Sequence, residues 1–103
     1  FLREGARVVI AGRDAAKLAA VAAELNAGDR LRTHPTDVTK AGQCQTLIEA
    51  ATKAFGRIDV LVNNAGTNIK DRTLRELTPE AWDMMIRTNL DGAFYCTKAV
   101  LPQ

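Results

Sequence analysis

Apolar positions along this chain follow two patterns, short uninterrupted runs and longer stretches with a helical period. Runs rich in Val, Ile and Leu occupy residues 6–11 and 58–62. Because such runs are typical of strands covered on both faces, they predict two strands of a parallel sheet. A further short strand is predicted within residues 30–39, ending near residue 38, although Pro35 disfavours a central position in the sheet.

Apolar residues spaced by three and four predict a helix after each of these strands. Asp14, Thr39 and Thr78 are predicted to cap the three helices, since a side-chain oxygen there accepts a hydrogen bond from the first turn. The last helix is predicted over residues 79–101, with a proline at its first position. The apolar faces of the first two helices are Leu18, Val21, Ala22 and Leu25, and Cys44, Leu47, Ile48, Ala51 and Phe55.

The order strand, helix, strand, helix, strand, helix predicts right-handed crossovers and a parallel sheet. Before the first strand, residues 1–5 are predicted to form the last turn of a helix that ends at Gly5. The predicted fold class is therefore α/β, a Rossmann-like parallel sheet with flanking helices. We expect a single partial domain over residues 1–103.

The composition of the chain disfavours several classes of partner and of active site. The 103 residues are 47% apolar with a net charge of +2, which is typical of one small globular unit and favours neither nucleic acid nor a membrane surface as partner. Cys44 and Cys96 fall at apolar helical positions, so we expect buried reduced thiols in a cytoplasmic protein. His34 is the only histidine, which excludes a histidine-based triad and a multi-histidine metal site. No metal is predicted.

Two polar features stand out against this apolar pattern. Asn63-Asn64-Ala65-Gly66 ends the second apolar run, and ligands of open α/β sheets bind beyond the carboxyl ends of strands. For an isolated motif, an ordinary Asn/Gly turn is the better interpretation. Asn89 lies on the helical face that carries Trp82, Met85, Ile86 and Ala93, so its amide is predicted to face the packed side, where it needs a partner. A bond to nearby backbone and a functional role are equally compatible with this spacing.

Several segments together resemble the short-chain dehydrogenases/reductases, over essentially the whole chain. The resemblance implies a Rossmann fold and an NAD(P)-dependent oxidoreductase that interconverts a carbonyl and an alcohol by hydride transfer. The matching segments are Gly12-Arg13, Asp37-Val38-Thr39, Asn63-Asn64-Ala65-Gly66, and Thr88-Asn89-Leu90 with Gly92 and Phe94.

The resemblance also implies roles for single residues. Asp37 and Val38 match positions that border the adenine ring, with the Asp37 carboxylate accepting from the adenine amino group. By its sequence alone, Asp37 is better interpreted as a loop or capping residue. The implied cofactor-binding segment Asn63, Ala65 and Gly66 lies against the cofactor and braces the sheet, while Asn64 is expected to be structural.

Arg13 matches the place where the second strand of the family meets the adenosine ribose. A guanidinium there complements the additional phosphate of NADP, whereas an acidic residue would bind the ribose hydroxyls of NAD. Arg13 therefore favours NADP(H), with NAD as the alternative. The next residue, Asp14, could instead cap the following helix or bind the ribose itself. Arg13 is equally compatible with an ordinary surface arginine at the end of a strand.

Asn89 is the one catalytic residue that the resemblance assigns within this chain, holding a water in a proton relay. The family's glycine-rich turn, its catalytic Ser and its Tyr-x-x-x-Lys pair have no match, and Tyr95 is followed four residues later by Ala99. The family's first strand, which lies between the second and fourth, is also without a match. We therefore expect a segment of a longer protein that alone neither folds well nor catalyses.

The implied partners are a small carbonyl or alcohol substrate and further copies of the protein. Family members often pair through the helix predicted at residues 79–101, so the parent protein is expected to be a homodimer or homotetramer. The polar residues 67–72 either form one wall of the substrate pocket or a solvated loop. A second hypothesis is a non-catalytic nucleotide-binding or oligomerisation module, or a truncated remnant.

Overall fold

A computed structural model describes residues 1–68, 70 and 73–102 of the protein. Within these residues, two strands form a parallel sheet with flanking helices. The α/β prediction is therefore confirmed. The elements are, in chain order, β1 (Val8–Gly12), α1 (Ala15–Leu25), β2 (Leu31–Pro35), α2 (Ala41–Phe55), α3 (Pro79–Ile86) and α4 (Gly92–Val100).

The two strands run in parallel, with Val8 of β1 opposite Leu31 of β2. β2 ends at Pro35, three residues before the predicted end. The Thr36 amide donates to the Gly12 carbonyl at 2.8 Å, and the next amide, of Asp37, donates to a side chain of α2 instead. The chain therefore leaves the sheet directly after the proline.

Two of the three predicted helix caps are confirmed. The Asp14 carboxylate accepts from the amides of Ala16 and Lys17, at 3.0 and 3.1 Å. The Thr78 hydroxyl accepts from the amide of Ala81 at 3.1 Å. Each cap satisfies amides of a first turn that have no partner within the helix.

The capping prediction for Thr39 is wrong. α2 begins at Ala41, with Lys40 at the N-cap and no side-chain capping bond. Thr39 instead donates twice to the Asp37 carboxylate, through its amide and its hydroxyl. An aspartate that binds the backbone two residues on forms a turn of its own, and this local alternative competes with helix capping.

The strand predicted at residues 58–62 is not formed. The described residues contain one sheet of two strands, and neither strand pairs with this segment. Val60 and Val62 are 67% and 60% exposed. An apolar run becomes a strand only when a neighbour completes its hydrogen-bond ladder, and none is present among the described residues.

The small core is formed mainly by α2, which also packs against α4. Its apolar members include Leu47, Ile48 and Ala51 of α2, together with the two free cysteines, Cys44 and Cys96. Burial, followed by the neighbouring Cys96 thiol, raises the pKa of Cys44 to about 12. Cys44 is therefore a neutral packing residue, as predicted, because a thiol must ionise to react.

Candidate functional site

A cavity of about 380 Å³ lies beyond the carboxyl ends of β1 and β2. It brings together Arg13, which follows β1, and Asp37, which follows β2. Ligands of open α/β sheets bind at this edge, while the contact of these two residues with a cofactor stays a prediction. The other lining residues are Thr39, Glu80, Asp83, Met84, Arg87 and Thr88.

Asp37 is held as an ionised hydrogen-bond acceptor. Its Oδ1 accepts from the Thr39 hydroxyl at 2.7 Å and from the Thr39 amide at 3.0 Å. These two bonds lower the pKa of the Asp37 carboxyl, and the charges of Lys40 and Arg13 act in the same direction. Both described bonds use one oxygen, so Oδ2 is left to accept from a ligand.

Val38 is fixed from two sides. The Cys44 thiol donates to the Val38 carbonyl at 3.4 Å. On the other side the first residue of α4, Gly92, comes so close that a Cβ built on it would lie 2.7 Å from Val38 Cγ2. Only glycine allows this approach without a shift of either group, so Val38 has a rigid position beside Asp37.

The segment after residue 62 is tied to the last helix. Asn63 Nδ2 donates to the Thr97 hydroxyl of α4 at 3.1 Å. Gly66 lies against Asn89, since a Cβ built on Gly66 would lie 3.1 Å from Asn89 Oδ1. Ala65 is exposed. The structure thus gives Asn63 and Gly66 contacts to this helical segment, while their contact with a cofactor stays a prediction.

The predicted helix at residues 79–101 is divided by a π-helical turn, Arg87–Asp91, which joins α3 to α4. Asn89 lies in the middle of this turn. Its Oδ1 accepts from the Thr67 amide at 2.7 Å, and its Nδ2 donates to the Thr67 carbonyl at 2.9 Å. Turns of this type are rare and frequently occur at functional sites.

The expectation that Asn89 faces a packed side is wrong. Asn89 is exposed, and Trp82, assigned to the same face, is 54% exposed. The π-helical turn spaces its bonds by five residues instead of four, so positions across it do not share one face as they would in a regular helix. The amide is nevertheless satisfied, by backbone 22 residues away.

Sequence reasoning missed Thr67 as the partner of Asn89 and Thr88 as a lining residue of the cavity. Neither the π-helical turn nor a bond across 22 residues has a periodic signal in the sequence. Of the connection at residues 67–72, positions 69, 71 and 72 lie outside the described residues, and with them much of the predicted substrate wall.

The part of the chain that the structure describes has neither a membrane-spanning helix nor a cluster of metal-binding side chains. No helix there has the length and apolarity to cross a membrane. No group of three or more His, Cys, Asp or Glu side chains there converges on a position for a metal ion.

Known proteins that are similar to this chain include oxidoreductases. Residues 1–103 match the model of the short chain dehydrogenase family. An oxidoreductase of Staphylococcus aureus strain MRSA252, itself uncharacterised, is 41% identical over 99 residues, which are 96% of this chain and 42% of that protein. The chain therefore spans about two fifths of the length of this relative.

Solved structures agree in fold and cofactor class. The 3-ketoacyl-(acyl-carrier-protein) reductase of Brucella melitensis, complexed with NADH, matches with a TM-score of 0.90 and 35% identity over 97% of this chain and 40% of that one. The closed form of a serine dehydrogenase complexed with NADP⁺ matches with a TM-score of 0.87 and 32% identity, over 99% of this chain and 40% of that one. Both neighbours were solved with a nicotinamide cofactor.

Proposed function

Since this chain belongs to the short-chain dehydrogenase family, we propose that it forms the adenosine-binding part of an NADP(H)-preferring oxidoreductase that interconverts a carbonyl and an alcohol. The observation that carries this proposal is the cavity of about 380 Å³ that Arg13 and Asp37 share. When bound, the nicotinamide group supplies or accepts the hydride. The residues of this chain bind and orient the other end of the cofactor.

Arg13 is assigned to the phosphate that distinguishes NADP from NAD. It follows the carboxyl end of β1, lines the cavity and lies close enough to Asp37 to lower the pKa of that carboxyl. A guanidinium binds a phosphate through charge-assisted, often bidentate hydrogen bonds. NAD has a neutral hydroxyl at that position, which gains much less from a positive charge.

Asp37 and Val38 are assigned to the adenine ring. The ionised carboxylate has Oδ2 available to accept from the exocyclic amino group, and the fixed Val38 side chain offers an apolar contact. Asn63, Ala65 and Gly66 are assigned to the adjoining face of the cofactor. Their connection to the last helix, through Thr97 and Asn89, keeps this segment in place.

Asn89 is assigned to proton transfer in the complete enzyme, where it holds a water that links a lysine to the relay. The π-helical turn and the two bonds to Thr67 support this role because they fix the amide. Nδ2 has a second hydrogen and Oδ1 a second lone pair, so a water can bind without displacing Thr67.

The test of the cofactor assignment compares two small ligands, adenosine 2′,5′-bisphosphate and AMP, titrated into the chain by calorimetry. We expect the bisphosphate to bind more tightly, and Arg13→Gln to weaken it by about tenfold while leaving AMP unchanged. One charge-assisted hydrogen bond contributes about 1.5–3 kcal/mol, and the exposure of Arg13 favours the lower end.

The matched control is Arg32→Gln, which removes an exposed arginine of β2 that is not among the lining residues of the cavity. This variant should bind both ligands as the unchanged chain does. Equal affinity for the two ligands, or equal losses in the two variants, would contradict the assignment of Arg13.

A second function, assembly into a homodimer or homotetramer, is supported by apolar side chains on the last helical segment. Trp82, Leu90 and Phe94 are 54%, 61% and 58% exposed. Large exposed apolar side chains on one segment are typical of interaction surfaces. This surface also fits the alternative in which the chain is a non-catalytic binding or oligomerisation module.

A further inference from the structure

Gln43, in the first turn of α2, binds the loop that carries Asp37. Its Oε1 accepts from the Asp37 amide at 2.7 Å. The preceding amide, of Thr36, still donates to the Gly12 carbonyl of β1 at 2.8 Å. Asp37 is therefore the first residue after β2 whose amide has left the sheet, and a side chain of α2 supplies the acceptor that the sheet no longer provides.

The next residue of α2 binds the next residue of the loop. The Cys44 thiol donates to the Val38 carbonyl at 3.4 Å. Two consecutive side chains of the helix thus hold an amide and a carbonyl of two consecutive loop residues. Together they fix the backbone on both sides of the peptide bond that joins Asp37 to Val38.

The helix that makes these bonds is anchored in the core. Cys44 is completely buried, and Leu47, Ile48 and Ala51 follow it on the buried face of α2. Gln43 itself is exposed, so its contribution is a hydrogen bond and not core packing. A side chain on an anchored helix holds a loop more precisely than a side chain on another loop.

The other polar groups of Asp37 are held within the loop. Its carbonyl accepts from the Lys40 amide at 3.0 Å, and its Oδ1 accepts from the amide and the hydroxyl of Thr39. These bonds set the direction of the carboxylate relative to its own backbone. The bond to Gln43 ties that backbone to α2, and so sets where the carboxylate lies.

We propose that Gln43 is a positioning residue for nucleotide binding, which holds Asp37 where its second oxygen, Oδ2, accepts from the amino group of adenine. This inference rests on the proposed function of Asp37. Without the Gln43 acceptor the Asp37 amide bonds to water, and the loop is free to turn the carboxylate away from the base. The loss then falls on recognition of the amino group and not on the rest of the nucleotide.

The test compares AMP with IMP, which carries a carbonyl oxygen in place of the amino group of adenine. Both nucleotides are titrated into the protein by calorimetry, and the ratio of their Kd values is the measurement. We expect AMP to bind more tightly, because IMP presents the Asp37 carboxylate with an acceptor instead of a donor. Gln43→Met should lower this preference by about three- to tenfold, the range of one exposed hydrogen bond.

Two further variants separate positioning from stability. Gln43→Glu keeps an acceptor for the Asp37 amide. Its charge weakens the binding of both nucleotides, but their ratio should stay as in the unchanged protein. Gln45→Met removes an exposed glutamine of the same helix whose described bond is to Glu49, at 3.1 Å, and it should also leave the ratio unchanged. A purely structural role of Gln43 would weaken AMP and IMP equally.

Hydrogen exchange measures the bond itself. The Asp37 amide should exchange faster in Gln43→Met and stay protected in Gln43→Glu and Gln45→Met. An unchanged exchange rate or an unchanged AMP preference in Gln43→Met would overturn the positioning role, while the proposed function stands. If the protein binds neither nucleotide, or binds both equally, the proposed function of Asp37 fails and this inference fails with it.

Discussion

Asn89 illustrates how one polar side chain is satisfied by backbone distant in the sequence. Its amide forms two hydrogen bonds with the peptide groups of Thr67, like a short bridge between strands. Gly66 eases this contact, because a Cβ there would lie only 3.1 Å from Asn89 Oδ1. Of the two interpretations that the sequence left open, the bond to backbone is observed, and it leaves room for the water that the proposed relay requires.

At Asn89 we predict that substitution by Ala lowers turnover of the full-length enzyme by at least about a hundredfold, the scale of a lost proton-transfer step. The pH profile of kcat should change as well, which a purely structural loss would not cause. Thr67→Ala is the control, because it keeps the backbone groups that Asn89 binds. Turnover near the unchanged rate in Asn89→Ala would exclude the relay role.

At Asp37 we predict a carboxyl that titrates below its ordinary value of 3.8, because Thr39 donates two hydrogen bonds to the ionised form. A depressed pKa in the folded state stabilises the fold above the unfolded-state pKa, and this contribution is lost as the pH falls through the folded-state value. It should therefore be complete above about pH 4 and decline below it.

The Asp37 titration is measured by NMR of the carboxyl carbon. Thr39→Val removes the hydroxyl donor, the largest cause of the shift, and should raise the midpoint toward 3.8. The stability difference between the unchanged chain and Asp37→Asn should shrink as the pH falls below 4. A midpoint that Thr39→Val leaves unchanged would be inconsistent with this account.

At the scale of elements, the division of the last helix determines how the site is assembled. The π-helical turn Arg87–Asp91 positions Asn89 against Thr67, and α4 then begins with Gly92 against Val38. One element thus contacts both the segment after residue 62 and the loop after β2. α4 can pack this closely against that loop because Gly92 has no Cβ.

Gly92→Ala should therefore destabilise the chain by about 1 kcal/mol. The added methyl group would lie 2.7 Å from Val38 Cγ2, and this overpacking costs roughly 1–3 kcal/mol, which exceeds the helical gain of about 1. Gly42→Ala in α2 is the matched control. No atom lies within 4 Å of its added Cβ, so it should stabilise by roughly 0.5–1 kcal/mol.

Urea unfolding measures both glycine variants. Val38→Ala in the Gly92→Ala background should recover part of the loss by making space. Equal stabilisation by both glycine variants would contradict the claim that a Cβ at position 92 clashes with Val38.

At the scale of the whole molecule, the described chain is open. Its radius of gyration is 15.3 Å, compared with about 13 Å for a compact domain of this length. The buried apolar residues are few and lie mostly on α2. Two sets of apolar side chains stay exposed in the described chain, Val60 and Val62 in the segment after α2, and Trp82, Leu90 and Phe94 on the last helical segment.

We predict that the exposed apolar side chains of the last helical segment, Trp82, Leu90 and Phe94, cause self-association. Phe94→Glu should shift the chain toward the monomer in light scattering, because it introduces a charge at a position that is 58% exposed. Val62→Glu is the control in the other exposed apolar set and should leave this assembly unchanged. If the chain without substitutions is entirely monomeric in light scattering, this helix does not form an interface between copies.

Local sequence was sufficient to predict the features that depend on neighbours within one helical turn. Asp14 and Thr78 cap their helices through bonds to residues two or three positions away, and the apolar period of α2 identified its buried face. These interactions join residues that are close in sequence, so local pattern predicts them unless a local alternative competes, as it does at Thr39.

The remaining features depend on how separate elements pack together. Residues 58–62 have a strand's composition but no strand, because a ladder requires a neighbour that local sequence does not supply. The partner of Asn89 and the contact between Gly92 and Val38 join residues far apart in the chain. Their energies depend on how separate elements meet in space, and periodicity along the chain contains no information about that.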